Sequence, residues 1–255
     1  MLDGWIKWAV GEGLMKTINS VLAKILGVAY STAQGTFITT IMIGLVQGFS
    51  GFCLSALRQK TLFPSVREVA SSILFGFVAT VMTMLGLLVF TYPGADVRVV
   101  TFIITLSIVP GILTDWIFFG DRLVLRQYFG IGLFIFAGWA VIGFISLKAF
   151  LSLPVWILIT FCIMFLYPIN ELITSKIAVR DVADPFVNNF WIGLSTVVFS
   201  SAGLGFFDKS AFQNFFSFTP SFWLVSFIMG VVVVAMISFK LIAYKGGGTI
   251  ALKNS

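Results

Sequence analysis

Histidine is absent from the 255 residues. The chain therefore lacks the commonest metal ligand and the commonest acid–base group at neutral pH, which weighs against many enzyme mechanisms. Charge is scarce as well. Asp, Glu, Lys and Arg make up 10% of the chain, where a soluble domain carries roughly 25%, so there is too little polar surface to face water. Cysteine occurs twice, as Cys53 and Cys162, each inside an apolar run. Both read as small hydrophobes rather than a disulfide or a metal pair. The net charge is +6, but no Lys/Arg-rich run accompanies it, which argues against a nucleic-acid partner. Lys7, Glu12 and Lys16 interrupt the N-terminal stretch, unlike the clean apolar core of a cleavable signal. Paired-carboxylate motifs, nucleophile elbows and a complete Walker lysine motif are all missing. The sequence thus calls for no metal or cofactor and does not read as an enzyme or as an ATP-driven pump on its own.

What is abundant is apolar bulk: 59% hydrophobic residues, with 29 Phe and 7 Trp. A helix needs about 20 apolar residues to cross a bilayer, where only internal hydrogen bonding satisfies its backbone. Runs of that length cover residues 37–57, 69–95, 99–120, 127–147, 149–170, 185–207 and 213–239, the last continuing past Lys240 to Tyr244. These make seven spans. Residues 5–26 mix apolar side chains with Lys7, Glu12, Lys16 and Lys24, and read as a short first span or a helix lying on the surface. The expected fold is all-α, a polytopic helical membrane protein with seven to eight transmembrane helices.

With residues 5–26 taken as a span, nine basic residues (Arg58, Lys60, Arg67, Arg122, Arg126, Lys176, Arg180, Lys245 and Lys253) fall on one side. Lys24, Arg98, Lys148 and Lys209 fall on the other. The positive-inside rule then puts the first set, and both ends of the sequence, in the cytoplasm of an inner or plasma membrane. Trp156 and Trp223, at outer helix ends, fit an interfacial aromatic belt. A shift of about 154 residues brings Phe75-Gly76-Phe77-Val78 onto Met229-Gly230-Val231-Val232, and Gly11-Glu12-Gly13-Leu14 close to Asn170-Glu171-Leu172-Ile173. This hydropathy echo is of the kind inverted-repeat carriers keep, and it favours a span at residues 5–26.

A local pattern adds to this. The chain runs Ile108-Val109-Pro110-Gly111, Phe118-Phe119-Gly120-Asp121-Arg122-Leu123 and Arg126-Gln127-Tyr128-Phe129-Gly130, and ends in Phe136-Ala137-Gly138. This resembles the end of an EamA-type repeat of the drug/metabolite transporter superfamily: a proline within a helix, a Gly-Glu-Arg-Leu turn, and a glycine ten residues after the turn glycine. Asp121 stands where the pattern has Glu, and Gly138 lies one residue further along. The resemblance implies an inverted-repeat bundle, with residues 1–149 as a first five-helix repeat and 150–255 as a partial second repeat of three helices. Since two-repeat members have ten spans, it also implies that this sequence is part of a longer reading frame.

Charges within the membrane cost about 2.5–3.5 kcal/mol at mid-helix and so mark cavities. Glu171, beside Asn170 and after Pro168, ends its span where a kinked helix can open to a cavity, or is a plain helix-end charge. Glu12 is its repeat counterpart. Asp115 either pairs with Arg122 or serves a substrate or proton path. Lys240, one turn before Tyr244, either snorkels to the cytoplasmic side or meets Glu171 or Asp115 across helices as a neutral polar hub. Asn188, Asn189 and Gln47 read as helix-joining polar groups, and Gly44-x-x-x-Gly48 as a close-packing seam.

Together these readings favour a secondary transporter moving a small metabolite or drug by alternating access. Its partners would be the lipid bilayer and a small-molecule substrate, and a homodimer is left open. A membrane-embedded enzyme of lipid or isoprenoid metabolism and a non-catalytic scaffold subunit remain the alternatives.

Overall fold

The computed structural model describes residues 4–30, 32–120, 125–141, 154–180, 184–207 and 217–246. Among them lie nine α-helices: α1 Ile6–Ala29, α2 Ala33–Leu57, α3 Val66–Val89, α4 Val97–Thr105, α5 Ile108–Phe119, α6 Leu125–Val141, α7 Val155–Arg180, α8 Pro185–Phe207 and α9 Pro220–Lys245. Local chemistry sets their ends. Ser65-Val66-Arg67-Glu68 has capping-box spacing, and the Ser65 hydroxyl accepts from the Glu68 N–H at 3.2 Å. The Thr32 and Thr219 hydroxyls accept from the Gly35 and Phe222 N–H groups, and Pro220 opens α9, where its missing N–H costs nothing. Gly120 closes α5 at φ +71°, a left-handed cap that glycine adopts without strain.

Asp96 caps α4. It pairs with the Arg98 guanidinium at 2.6 Å and accepts from the Arg98 N–H at 2.8 Å, and these bonds hold its carboxyl down at about 2. A carboxyl depressed by folding adds stability above its ordinary range and loses it as pH falls through the folded value. The difference in melting temperature between wild-type and Asp96→Asn protein is therefore expected to be constant at neutral pH. It should shrink between about pH 4, the ordinary aspartate value, and about pH 2.

Among the described residues, six helical stretches are long and apolar enough to cross a bilayer: Gln34–Leu57, Val66–Val89, Val97–Phe118, Val155–Thr174, Pro185–Phe206 and Pro220–Lys245. Outward-facing Phe49, Phe129 and Phe206 are 71%, 69% and 84% exposed, an apolar surface that suits lipid rather than water. The chain is an all-α polytopic membrane protein. The sequence count was seven to eight. The difference lies in α1, which has 24 residues but carries Lys7, Glu12, Lys16 and Lys24, and in the span expected over residues 127–147, of which 142–147 lie outside the described residues. Yet α1 runs antiparallel along the whole of α9. Trp5 meets Gly246 at one end, Trp8 packs on Phe239, and Tyr30 bonds Thr219 and Ser221 at the other end. Trp156 does not join an outer belt. It is 8% exposed and part of the core.

The packed pairs follow one rule. α2 crosses α8, α1 packs on α9 as α7 packs on α3, and α2 packs on α9 as α8 packs on α3. Exchanging α1, α2 and α3 for α7, α8 and α9 leaves this set unchanged. The atoms agree. A Cβ on Gly44 would meet the Gly193 carbonyl and the Val197 N–H, both at 2.9 Å, and a Cβ on Gly193 would meet the Gly44 carbonyl and the Gly48 N–H. Gly230 abuts Val46 as Gly76 abuts Ser195. Ser226 bonds Thr39 as Ser72 bonds Asn188. Such reciprocity is the signature of a two-fold relation. At its centre the two backbones touch, as Gly44-x-x-x-Gly48 leads one to expect.

Polar groups tie this centre together. Gln47 on α2 donates to the Asn189 Oδ1 on α8 at 2.9 Å, and the Asn189 amide donates to the Ser238 hydroxyl on α9 at 3.1 Å. Asn189→Ala removes both bonds, together with the one its amide donates to the Pro185 carbonyl at 2.8 Å, and strands the buried Gln47 amide, so a loss of about 1–2 kcal/mol is expected. Thermal melting in detergent measures it; an unchanged melting point would show that the triad contributes nothing.

Candidate functional site

Glu12 and Lys16 sit one turn apart on α1, a spacing at which side chains meet. They face Glu171 on α7 and Lys240 on α9. Lys16 Nζ lies 2.7 Å from Glu12 Oε1, and Lys240 Nζ lies 2.6 Å from Glu171 Oε1. The cross pairs, Lys16–Glu171 and Lys240–Glu12, are both 4.0 Å. The Tyr244 hydroxyl donates to Glu171 Oε2 at 2.6 Å. Two carboxylates and two ammoniums thus form a closed ring with no net charge, which is the condition for keeping ions out of water.

Lys240 does not snorkel. Its side chain is 4% exposed, and it turns inward to Glu171 and lies 5.8 Å from the Phe75 ring centroid. Nor is Glu171 a solvated helix end, being 13% exposed. Pro168, one turn earlier on α7, has no N–H to give the Met164 carbonyl, a standard cause of a kink.

The ring borders a cavity of about 330 Å³, at the lower end of the size range of small-molecule sites. Starting from Lys16 and Lys240, it extends along α1 to Ala23 and along α3 to Phe90. Helices of both exchanged sets line it, together with α4. Asn170 is 5% exposed and belongs to this wall. Its Oδ1, like that of Asn19 on the same wall, has no hydrogen-bond partner among the described residues.

The structure therefore gathers Glu12, Glu171, Asn170 and Lys240 at one place. Asp115 lies on α5, but its side chain is outside what the structure describes. Asp121 and Arg122 lie outside the described residues. Pro110 is within α5, Gly120 closes it, and Gly130 and Gly138 lie on α6; none of them is among the residues of the ring or of the cavity wall. Lys16 and Tyr244 were not among the sequence candidates. The signal for Lys16 was its i,i+4 spacing from Glu12, and nothing local marked Tyr244. Cys53 and Cys162 are free thiols.

The ring breaks the two-fold relation. Counting 154 residues back from Lys240 and Tyr244, as from Gly230 to Gly76, gives Gly86 and Phe90. The contacts recur across the two sets, and among the described residues the four-membered charge ring stands at one end only. Comparison of the chain with protein-family models and with curated proteins gives no match.

Proposed function

We propose that the protein is a secondary transporter of small metabolites, working by alternating access. The observation that carries this reading is the cavity shared by two sets of three helices related by a two-fold, with a neutral, desolvated charge ring at one end. A two-fold that pairs α2 with the antiparallel α8 lies in the membrane plane when both helices span. Rocking the two sets about the Gly44–Gly193 contact would then open the cavity to either side in turn. At the far end α1 is tied to α9 through Tyr30, Thr219 and Ser221, bonds that a rocking cycle would make and break. The resemblance of residues 108–138 to an EamA-type repeat supports the same reading, and the surplus of basic residues in alternate loops puts the charge-ring end in the cytoplasm.

The test is flux. Purified protein in proteoliposomes loaded with a mixed pool of small metabolites should release specific solutes, detected by mass spectrometry. The Lys240→Met/Glu171→Gln pair, which removes both charges together, should abolish that release. Release no faster than from protein-free vesicles, for every solute in the pool, would overturn the proposal.

A further inference from the structure

The two signs of charge in the ring are not presented equally. Lys16 and Lys240 are on the cavity wall, whereas no Asp or Glu is among the described residues that line it. The carboxylates of Glu12 and Glu171 are not among the lining residues, and each lies within 2.7 Å of one ammonium and 4.0 Å of the other. An ammonium has three N–H donors and no acceptor. Each lysine therefore has donors beyond the one directed at its carboxylate, and the cavity is the side from which a ligand reaches them. The rest of the wall is largely apolar, with Phe75, Met82, Ile163, Met229 and Val233 in it.

We infer that the cavity takes a small organic anion, a carboxylate on a compact apolar body, with its charge on the cavity side of Lys16 and Lys240 and its body against the α3 and α9 wall. This rests on the transport reading for its purpose but not for its test, which reads binding alone. The ammoniums give a point-charge clasp without the flat two-pronged geometry of arginine, so the site selects for charge and size more than for the shape of the anion. A ligand of the opposite sign would meet two ammoniums with no carboxylate among the described residues of the wall, where the Asn19 and Asn170 Oδ1 atoms can accept only from neutral donors on the ligand's body.

The experiment is a melting series in detergent with three probes of nearly equal size: hexanoate, hexanamide and hexylammonium. Laurate and benzoate are further arms. Hexanoate and benzoate should raise the melting temperature by about 3 °C at ten times their Kd, and hexanamide and hexylammonium should not. The Lys240→Met/Glu171→Gln protein should lose the hexanoate shift. Because that pair is isoelectronic in net charge with the wild-type ring, its own melting point shows whether it folds. The conservative Lys240→Arg protein serves as a second variant and should retain part of the shift. An equal shift from hexylammonium, or a hexanoate shift that persists in the paired variant, overturns the inference. A shift from laurate alone also overturns it, in favour of a lipid acid entering from the bilayer. Binding of hexanoate by a protein that moves no solute would leave the inference standing and remove the transport reading. Flux restricted to cations or neutral solutes would do the reverse.

Discussion

Gly193→Leu is expected to lower the melting temperature by about 10 °C, or to prevent recovery of folded protein. Overpacking a tight core costs about 1–3 kcal/mol and sometimes more, and each kcal/mol moves the melting point of a protein this size by about 2–4 °C. Here the cost falls at the upper end. The obstacle is not a flexible side chain but the Gly48 backbone and the Gly44 carbonyl. Neither can give way without parting α2 from α8 along the contact that joins the two exchanged sets. Gly86→Ala is the control. A Cβ there meets nothing within 4 Å, and replacing a mid-helix glycine with alanine ordinarily stabilises by about 0.5–1 kcal/mol. If Gly193→Leu melted within about 2 °C of the wild type, less than 1 kcal/mol on the same scale, the crossing would not be where the structure puts it.

Lys240→Met is the second large effect. Removing one partner of a buried ion pair leaves the other uncompensated and costs about 3–5 kcal/mol, whereas replacing both with apolar or neutral groups is often close to neutral. Lys240→Met leaves Glu12 and Glu171 sharing Lys16 alone, and should destabilise by about 3 kcal/mol. Adding Glu171→Gln should recover most of that loss. The amide fills the same space, still accepts from the Tyr244 hydroxyl, and restores a ring of one carboxylate and one ammonium. The double-mutant cycle is the decisive reading, since residues in one network are not additive. Costs of Lys240→Met and Glu171→Gln that simply add would mean the two side chains do not meet.

Much of this fold is written in hydropathy. The spans centred on residues 37–57, 69–95, 185–207 and 213–239 were legible because lipid requires long unbroken apolar helices. The first helix was legible as a helix over residues 5–26, but whether it spans or lies on the surface was not, because Glu12 and Lys16 look like surface charges until their partners on α7 and α9 are known. The repeat was visible only as one shift of about 154, which fits α3 and α9. The α2–α8 relation runs from Gly44 to Gly193, a spacing of 149. The stretch from Gly193 to Gly230 is therefore five residues longer than that from Gly44 to Gly76, and no single shift aligns both.

The site was legible in its parts. Glu171, Lys240 and Glu12 stood out as ions in apolar surroundings. Their assembly into a ring could not be read from the chain, since Glu12 and Glu171 are 159 positions apart and Glu171 and Lys240 are 69 apart. Tyr244 was invisible as a site residue, because a tyrosine near a helix end is unremarkable until its hydroxyl finds Glu171. The break in symmetry was equally hidden, for Gly86 means something only once it is known to occupy the place of Lys240.

In the proposed cycle one cavity is reached from both sides of the membrane in turn. Thr83 lines that cavity on α3. A Thr83→Cys protein in a Cys53→Ala/Cys162→Ala background, in sealed vesicles of each orientation, can be exposed to a membrane-impermeant thiol reagent. The account predicts labelling from either side, with a bound ligand changing the two rates in opposite directions. Labelling from one side only, whatever the ligand, would contradict it.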